Sequence, residues 1–471
     1  MSPLQAQELH ALPTLMNQAA QAAIATLQAL PELPAAVRPQ PVPRQALPEQ
    51  GQGLAAALAD FEQRYAPGFA ASAGPRYLGF VTGGATPAAL AGDWLASAWD
   101  QNPTSGLDSS APDLERECIA WLAALFGLGP EWSGSFVTGA TMSNFVGLAL
   151  GREWLSRELG GSAAQQGLGG LPPLRILSGA PHSSIHKAAA MLGLGRNAVQ
   201  AVAQLPGREA VDPAAMVAAL STGPAIVVAN AGTVNSVDFD DLQALAALRA
   251  QQPQTRSFWL HVDAAFGAFA ALLPEHAPKL AGLNQADSIC VDLHKWLNVP
   301  YDAAVQFTRR QDLQTAVFQN QAAYLGDLGE QPDFVHLTPE NSRRLRALPA
   351  WFALQAYGRE GAAAVVRQCV ELAQGLGAWI EAGTSWRLLA PVRLNVVCFT
   401  LAGLPAGAAG RARIEALVTA LRDEGEVFLT PTLFNGHWGL RAAFSNWRTR
   451  TADLHRIEAA LQRVSAGDSA I

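Results

Sequence analysis

Four short apolar runs that alternate with alanine-rich helical stretches constrain the fold of this chain most strongly. They are LRILSGA (174–180), AIVVANAG (225–232), FWLHVDAA (258–265) and SICVDLH (288–294). Continuous apolar strands between helices indicate a mostly parallel sheet that is covered on both faces. Polar residues cluster just after these runs, and ligands of open α/β sheets bind at that carboxyl edge. The sequence therefore predicts an α/β fold with a ligand site at one edge of the sheet.

Length and patterning predict three structural units in the 471 residues. Residues 1–75 contain helical stretches around a proline-rich segment and too little apolar surface for a core of their own. We therefore expect them to form an arm that packs on a second copy of the chain. Residues 76–345 are predicted to form a large ligand-binding domain. The mixed helix and strand signals over 346–471 predict a smaller C-terminal α/β domain.

Composition excludes several classes of protein. The net charge of −7 is diffuse, so we expect neither nucleic acid nor an anionic membrane as a partner. No apolar run approaches membrane-spanning length, and the N-terminus does not resemble a signal peptide. The nine histidines form no HxxH or HExxH pattern, so no metal is expected. The cysteines are widely spaced, which predicts reduced core residues of a cytoplasmic protein: Cys118, Cys290, Cys369 and Cys398.

A lysine follows the last of the four apolar runs. Lys295, in VDLHKWLNVP, stands between His294 and Trp296. Partial burial is expected to lower the pKa of such a lysine and to make its amine a nucleophile for carbonyls. A lysine whose stem snorkels from a strand end to solvent explains the position more simply. Taken alone, Lys295 favours this simpler explanation.

An aspartate closes the preceding apolar run. Asp263 ends FWLHVD, 32 residues before Lys295. A carboxylate at this place could hold a cationic ring nitrogen such as a pyridinium. Ala264 and Ala265 are small enough to let a flat ring lie against the backbone. An aspartate that caps the next helix is an equally good explanation when Asp263 is considered by itself.

The segment FVTGATMSN (136–144) joins a predicted strand to a predicted helix. Its small residues expose backbone N–H groups at a helix N-terminus, which suits a phosphate, and Thr141 and Ser143 could add hydroxyl donors. The segment lacks the GK[ST] of a Walker loop and the GxGxxG of a dinucleotide site. An ordinary strand–helix turn is the alternative.

A histidine completes the set. His182, in APHSSIHK, follows the run LRILSGA and could stack on an aromatic ring or transfer protons. A structural loop histidine is the usual alternative. Four consecutive strand ends then supply phosphate donors, a stacking group, a partner for a ring nitrogen and an amine. Together they describe a site for pyridoxal phosphate (PLP), and chance agreement of all four is much less probable than of any one.

From about residue 75 to 455, the chain resembles the group II PLP-dependent decarboxylases, which include aromatic-L-amino-acid, glutamate, cysteine sulfinate and histidine decarboxylases. The motifs HVDAAFG, ADSICVDLHKW, PHSSIHKAA and SRRLRALPAWFALQAYG carry the resemblance. It implies the aspartate-aminotransferase fold (fold type I) and a homodimer with active sites near the subunit interface. It also implies conversion of an L-amino acid to its amine and CO2, through a Lys295 Schiff base and a quinonoid intermediate.

The resemblance assigns roles to single residues. Lys295 matches the Schiff-base lysine, Asp263 the partner of the pyridine nitrogen, and His182 the histidine that stacks on the ring. The other matches are Ala140 and Thr141 in the phosphate loop, Ala265 beneath the ring, Thr233 beside the cofactor, Asp292 and His294 as neighbours of the lysine, and Arg441 as a grip for the substrate α-carboxylate. Asp292 would repel the phosphate unless another group pairs with it.

The substrate and the proton donor are less constrained. Phe80 stands where the glutamate and sulfinate branch has a polar contact, which favours an aromatic or bulky substrate, whereas PRYLGF, LAGDWL and NPTS (102–105) lean towards that branch. Tyr324 lies 29 residues beyond Lys295 and matches a loop tyrosine that protonates the substrate Cα in aromatic decarboxylases. A tyrosine packed on a surface loop is the alternative.

Two other functions fit the same motifs. A PLP-dependent aldehyde synthase would oxidatively deaminate the same substrates, and an inactive scaffold of the same fold would only bind a partner. The complete set of Lys295, Asp263 and His182 argues against the scaffold.

Overall fold

The computed structural model describes residues 1–251, 257–320, 328 and 331–466. Its strands, in chain order, are β1 (Ser133–Val137), β2 (Ile176–Ser178), β3 (Val199–Ala201), β4 (Ala225–Asn230), β5 (Phe258–Asp263), β6 (Ser288–Asp292), β7 (Ala304–Thr308), β8 (Trp386–Leu388), β9 (Val396–Leu401), β10 (Thr430–Phe434) and β11 (His437–Ala443).

The first seven strands form one sheet in the order β1-β7-β6-β5-β4-β2-β3. Strands β6, β5, β4, β2 and β3 are parallel to one another, and only β7 runs against both of its neighbours. The four apolar runs contribute β2, β4, β5 and β6, and every residue of these strands is buried. The predicted α/β fold with a mostly parallel sheet is confirmed.

Helices occur along the whole length of the described chain, between residues 3 and 466. They are α1 (Pro3–His10), α2 (Leu12–Ala29), α3 (Leu54–Arg64), α4 (Pro87–Trp99), α5 (Ala111–Leu125), α6 (Ala140–Glu158), α7 (Ala163–Gln166), α8 (Ser183–Met191), α9 (Pro213–Leu220), α10 (Leu242–Gln251), α11 (Leu293–Trp296), α12 (Gln311–Phe318), α13 (Ala347–Ala382), α14 (Gly407–Glu424) and α15 (Thr451–Ala466).

The central sheet is covered on both faces because its strands are apolar on both. In β4, Ile226 and Val228 pack into the apolar cluster of α6 and α8, whereas the alternate residues Val227 and Ala229 pack into the cluster that includes α5 and α13. Alternate side chains of a strand point to opposite faces. The unbroken apolar runs therefore place this sheet between two helical layers.

A second sheet follows in the C-terminal part, in the order β10-β11-β9-β8, and each neighbouring pair is antiparallel. At the other end of the chain, α1, α2 and α3 contain no buried residue. Large apolar side chains of this arm are exposed, such as Leu9, Leu12 and Met16. Packing of the arm on a second subunit, and the boundaries at residues 75 and 345, stay predictions.

The structure also describes the cysteines, the apolar character of the helices and the clustering of possible metal ligands. All four cysteines are buried and free. Across the described ranges, no helix combines the length and apolar character needed to cross a membrane. Within the same ranges, no cluster of three or more His, Cys, Asp or Glu side chains has an arrangement that could hold a metal ion.

Candidate active site

A cavity of about 360 Å³ opens at the carboxyl edge of the central sheet. It brings together eleven of the predicted site residues, which are far apart in sequence. Those residues are Phe80, Ala140, Thr141, His182, Thr233, Asp263, Ala265, Asp292, His294, Lys295 and Arg441. Tyr324 lies outside the described residues.

Lys295 lines this cavity from α11, immediately after β6. Its Nζ is 3.2 Å from Oδ2 of Asp292 and 5.8 Å from the centre of the Phe266 ring. Burial alone would lower the pKa of Lys295, but the Asp292 and Asp263 carboxylates outweigh it, and the pKa is raised. The expected lowering of this pKa is therefore wrong, because a carboxylate lies within ion-pair distance of the amine.

Both carboxylate oxygens of Asp292 have partners within the protein. Its Oδ1 accepts a hydrogen bond from the backbone N–H of Ala140 at 3.1 Å, and its Oδ2 lies 3.2 Å from both Lys295 Nζ and His294 Nε2. Burial alone would raise the pKa of Asp292, but Lys295 and His294 outweigh it and hold the pKa below its usual value. The repulsion expected between Asp292 and a phosphate is thus offset by the two neighbouring basic groups.

Asp263 ends β5 inside the cavity with a side chain that is held by neutral donors. Asn144 Nδ2 donates to its Oδ2 at 2.9 Å, and the backbone N–H of Ala265 donates to its Oδ1 at 3.2 Å. No cationic side chain of the described residues forms an ion pair with it. The negative charge of this carboxylate therefore remains available to a positively charged ligand atom.

His182 caps the N-terminus of α8 and faces the open cavity. Its Nδ1 lies 2.7 Å from Ser184 Oγ and accepts the backbone N–H of Ser184 at 3.3 Å. Desolvation lowers the pKa of His182, although the Asp263 carboxylate opposes this. A neutral His182 whose Nδ1 accepts carries its proton on Nε2.

Two polar residues of the predicted site use their hydroxyl groups within the protein. Thr233 Oγ1 donates to Glu209 Oε2 at 2.6 Å and accepts the backbone N–H of Asp238 at 2.9 Å. Ser143 Oγ donates to the backbone oxygen of Val305 at 3.1 Å, so it offers no donor to a phosphate. Thr233 lines the cavity, but Ser143 is buried in the contact between α6 and β7.

The outer part of the cavity is lined by apolar and aromatic groups around one arginine. Arg441 donates from Nη1 to Val234 O at 3.2 Å and from Nη2 to Gly79 O at 3.3 Å, while its buried Nε has no partner among the described residues. Arg441 forms no ion pair within 4 Å among the described residues, and burial lowers its pKa, although Cys398 and the more distant Glu209 carboxylate oppose this. Phe80 is 56% exposed at this end of the cavity.

The sequence-based prediction missed two residues that shape the site. The Tyr301 ring packs at a tilt of 38° against the His294 ring with a centroid distance of 4.3 Å, and its hydroxyl lies 3.2 Å from Thr82 Oγ1. Asn144 holds Asp263. Asn144 ends the predicted segment FVTGATMSN, and a polar amide immediately before an apolar helical stretch was a signal for it, whereas nothing in the sequence singled out Tyr301.

A family model described as the pyridoxal-dependent decarboxylase conserved domain matches residues 36–402. The chain belongs to the pyridoxal-dependent decarboxylase family. It is accordingly a lyase of amino acid metabolism, and its cofactor is PLP. The family match covers the whole cavity edge of the central sheet, from α4 to β7.

Individual relatives differ in the substrate that their names state. The chain is 30% identical over 429 residues to L-2,4-diaminobutyrate decarboxylase of Rhizobium meliloti (strain 1021), with coverage of 87% of this chain and 82% of the relative. It is 26% identical over 399 residues to aromatic-L-amino-acid decarboxylase of Bacillus atrophaeus, with coverage of 81% and 79%. Among solved structures, Oryza sativa TDC with PLP and tryptamine superposes with a TM-score of 0.90 at 21% identity, covering 99% of each chain.

The residues of the cavity fit PLP by their chemistry. The chain has three lysines, and Lys295 alone lies in the cavity, since Lys187 is exposed on α8 and Lys279 pairs with His276 elsewhere. Asp263 offers a carboxylate that no protein cation neutralises. The N-terminus of α6, which begins at Ala140, suits an anion by its helix dipole, although the Ala140 N–H itself donates to Asp292 and the Met142 N–H donates to Gly139 O. The cavity therefore contains a group of suitable chemistry for each of the three functional groups of PLP: the aldehyde, the cationic ring nitrogen and the phosphate.

Proposed function

We propose that this chain decarboxylates an L-amino acid with an aromatic or bulky apolar side chain, and that Lys295 holds the cofactor covalently. The convergence of the Lys295 amine, the Asp263 carboxylate and the His182 ring in one cavity carries the proposal. When bound, PLP supplies an electron-accepting ring that is conjugated to the substrate Cα. The protein residues hold that ring, orient the substrate and control proton positions.

Asp263 is proposed to keep the ring nitrogen protonated. Its carboxylate receives only neutral donors from Asn144 and Ala265, so a cationic nitrogen is the charge partner that it lacks. His182 would lie against the ring and present its Nε2 proton to the cavity. Ala140, Thr141 and His294 would surround the phosphate, where Asp292 lies 3.2 Å from both Lys295 Nζ and His294 Nε2.

The charges that line the cavity support the proposed substrate class. Arg441 is the cation at its outer end that has no carboxylate partner among the described residues, and it is proposed to bind the α-carboxylate. An acidic side chain would then lack a second cation, because Lys295 is already engaged. A cationic side chain would lack a free carboxylate, because Asp263 and Asp292 serve the cofactor. Phe80 and other apolar groups remain to contact the substrate side chain.

A substrate screen tests this proposal. Purified holoenzyme is supplied with the twenty standard amino acids, cysteine sulfinate, DOPA and 2,4-diaminobutyrate, and both CO2 and the organic product are measured. We expect the highest kcat/KM for an aromatic or bulky apolar amino acid. A preference for glutamate, cysteine sulfinate or diaminobutyrate would overturn the proposed substrate class, and absence of CO2 from all of them would overturn the proposed activity.

Two alternatives are decided by the same measurement. An aldehyde synthase would release CO2 together with ammonia, peroxide and an aldehyde instead of an amine. An inactive scaffold would bind its partner without turnover and would lack the visible absorbance of a bound cofactor. No feature of the described residues favours either alternative.

We also propose that the chain is a homodimer of the cytoplasm. The three helices of the arm bury none of their own residues, and they expose Leu9, Leu12 and Met16. Apolar surface of this extent is covered by a partner in stable assemblies. Sedimentation at assay concentrations should give twice the chain mass. A fully active monomer would contradict the proposal.

A further inference from the structure

A chain of hydrogen bonds lies behind the cavity, between β5 and α6. Trp259 Nε1 is 3.0 Å from Ser288 Oγ, which is 2.8 Å from His261 Nδ1. His261 Nε2 is 2.8 Å from Asn144 Oδ1, and Asn144 Nδ2 is 2.9 Å from Asp263 Oδ2. All of these side chains except Asp263 are 0–1% exposed.

In this series of hydrogen bonds, the residues at the two ends determine which atom donates at each step. Trp259 can only donate, and the ionised Asp263 carboxylate can only accept. Asn144 must therefore turn its NH2 group to Asp263 and its oxygen to His261, which places a proton on His261 Nε2. Burial lowers the pKa of His261 to about 4, so the ring is neutral and its Nδ1 accepts from Ser288.

Asn144 is also connected to His182, through the hydroxyl group of Ser184. Its Nδ2 lies 3.0 Å from Ser184 Oγ, so Ser184 accepts that bond and donates its own proton to His182 Nδ1. The amide group of Asn144 thus serves Asp263 and His182 together. His182 keeps its proton on Nε2, on the side of the ring that faces the cavity.

The close approach of α6 to β5 makes this arrangement possible. A Cβ atom added to Gly147 would lie 2.5 Å from the His261 ring, so the helix needs a glycine at this position for the imidazole to reach Asn144. His261 and Asp263 are two residues apart on one strand and therefore point to the same face of the sheet, which α6 covers.

We propose that Asn144 and His261 are positioning residues for the cofactor site. Asn144 fixes the Asp263 carboxylate and the His182 ring, and His261 fixes the orientation of the Asn144 amide. Because each donor is neutral, Asp263 is held without losing its charge to a protein cation. This inference rests on the proposed function, since it assigns the two held side chains to the cofactor.

The test removes the Asn144 amide and measures the cofactor complex without any amino acid substrate. Asn144→Ala should raise the PLP dissociation constant by roughly tenfold or more, because a hydrogen bond to a charged group is lost. The visible circular dichroism of the bound cofactor should also fall, since this signal depends on a fixed ring orientation. Asn395→Ala is the matched control, because Asn395 is equally buried and bonds to Phe444 O in the C-terminal part.

Variants of His261 provide the second arm, at a site that does not contact the cavity. His261→Leu removes the donor to Asn144 and should reproduce both effects of Asn144→Ala. His261→Gln offers an amide N–H near the position of Nε2 and should restore much of the affinity and the dichroism. A merely structural role would make all variants lose thermal stability alike and leave both cofactor signals unchanged.

The outcomes separate this inference from the proposed function. If wild type binds PLP and Asn144→Ala and His261→Leu keep its affinity and dichroism, the positioning role is wrong while the proposed function stands. The role is also wrong if Asn395→Ala loses both signals to the same extent. A wild type that binds no PLP would overturn the proposed function itself.

Discussion

The Asp263→Asn substitution tests the charge at the centre of the proposed site. The carboxylate accepts hydrogen bonds at both oxygens, from Asn144 Nδ2 at 2.9 Å and from Ala265 N at 3.2 Å. An amide has only one oxygen, so it can satisfy one of these donors and turns its NH2 group toward the other. The substitution also removes the charge that would hold a cationic ring nitrogen.

The expected loss follows from the hydrogen bond to a charged group. Such a bond contributes about 1.5–3 kcal/mol, and each 1.4 kcal/mol corresponds to about a factor of ten. We therefore expect kcat to fall by about ten- to one-hundred-fold when the ring nitrogen loses its charged partner. PLP should still load at saturating cofactor, because Lys295 is unchanged, although its dissociation constant should rise as it does for Asn144→Ala.

The assay compares initial rates of CO2 release at saturating substrate with the PLP content measured by absorbance. Asp263→Glu is the control that keeps the charge while it moves the carboxylate by one methylene, and it should retain more activity than Asp263→Asn. A near-native kcat for Asp263→Asn with full PLP content would refute the role of this charge.

Three further predictions concern other parts of the chain. Borohydride reduction of the holoenzyme and peptide mapping should place the pyridoxyl group on Lys295, and a label on either of the other two lysines would contradict the assignment. Tyr324→Phe should still bind PLP but release aldehyde, ammonia and peroxide under air in place of amine; amine formation at the wild-type rate would remove Tyr324 from proton delivery. Glu115→Ala should lower the free energy of unfolding by about 3–5 kcal/mol, because it leaves the fully buried Arg343 charge without its partner at 2.8 Å. A loss below about 1 kcal/mol in denaturant titrations would refute that estimate.

Sequence patterns were sufficient to predict the sheet and the elements that carry the main site residues. The runs that became β2, β4, β5 and β6 are apolar on both faces, which is possible only when helices cover both sides. Parallel strands bring their carboxyl ends to one edge, so Asp263 and Lys295 could be expected near each other from their positions after β5 and β6.

Hydroxyl groups show where such patterns stop being informative. Ser143 lies in the predicted phosphate segment, yet the helix turns its hydroxyl to Val305 O. The hydroxyl of Thr233 is engaged by Glu209, which lies 24 residues earlier in the chain. A motif specifies which residue types are present, but the direction of a short polar side chain depends on whichever backbone or carboxylate packs beside it.

The sequence by itself determined the α/β class, the cavity edge and the residue types of the site, because these depend on the periodicity of apolar residues and on the order of the strands. Only the tertiary structure decided how the site is charged and held. Asp292 raises the pKa of Lys295 where burial alone would lower it. Asn144 reaches Asp263 and His261 across more than one hundred residues of chain, and it does so because Gly147 lets α6 approach β5 closely. Contacts of that kind arise from the packing of helix on sheet, which no local pattern specifies.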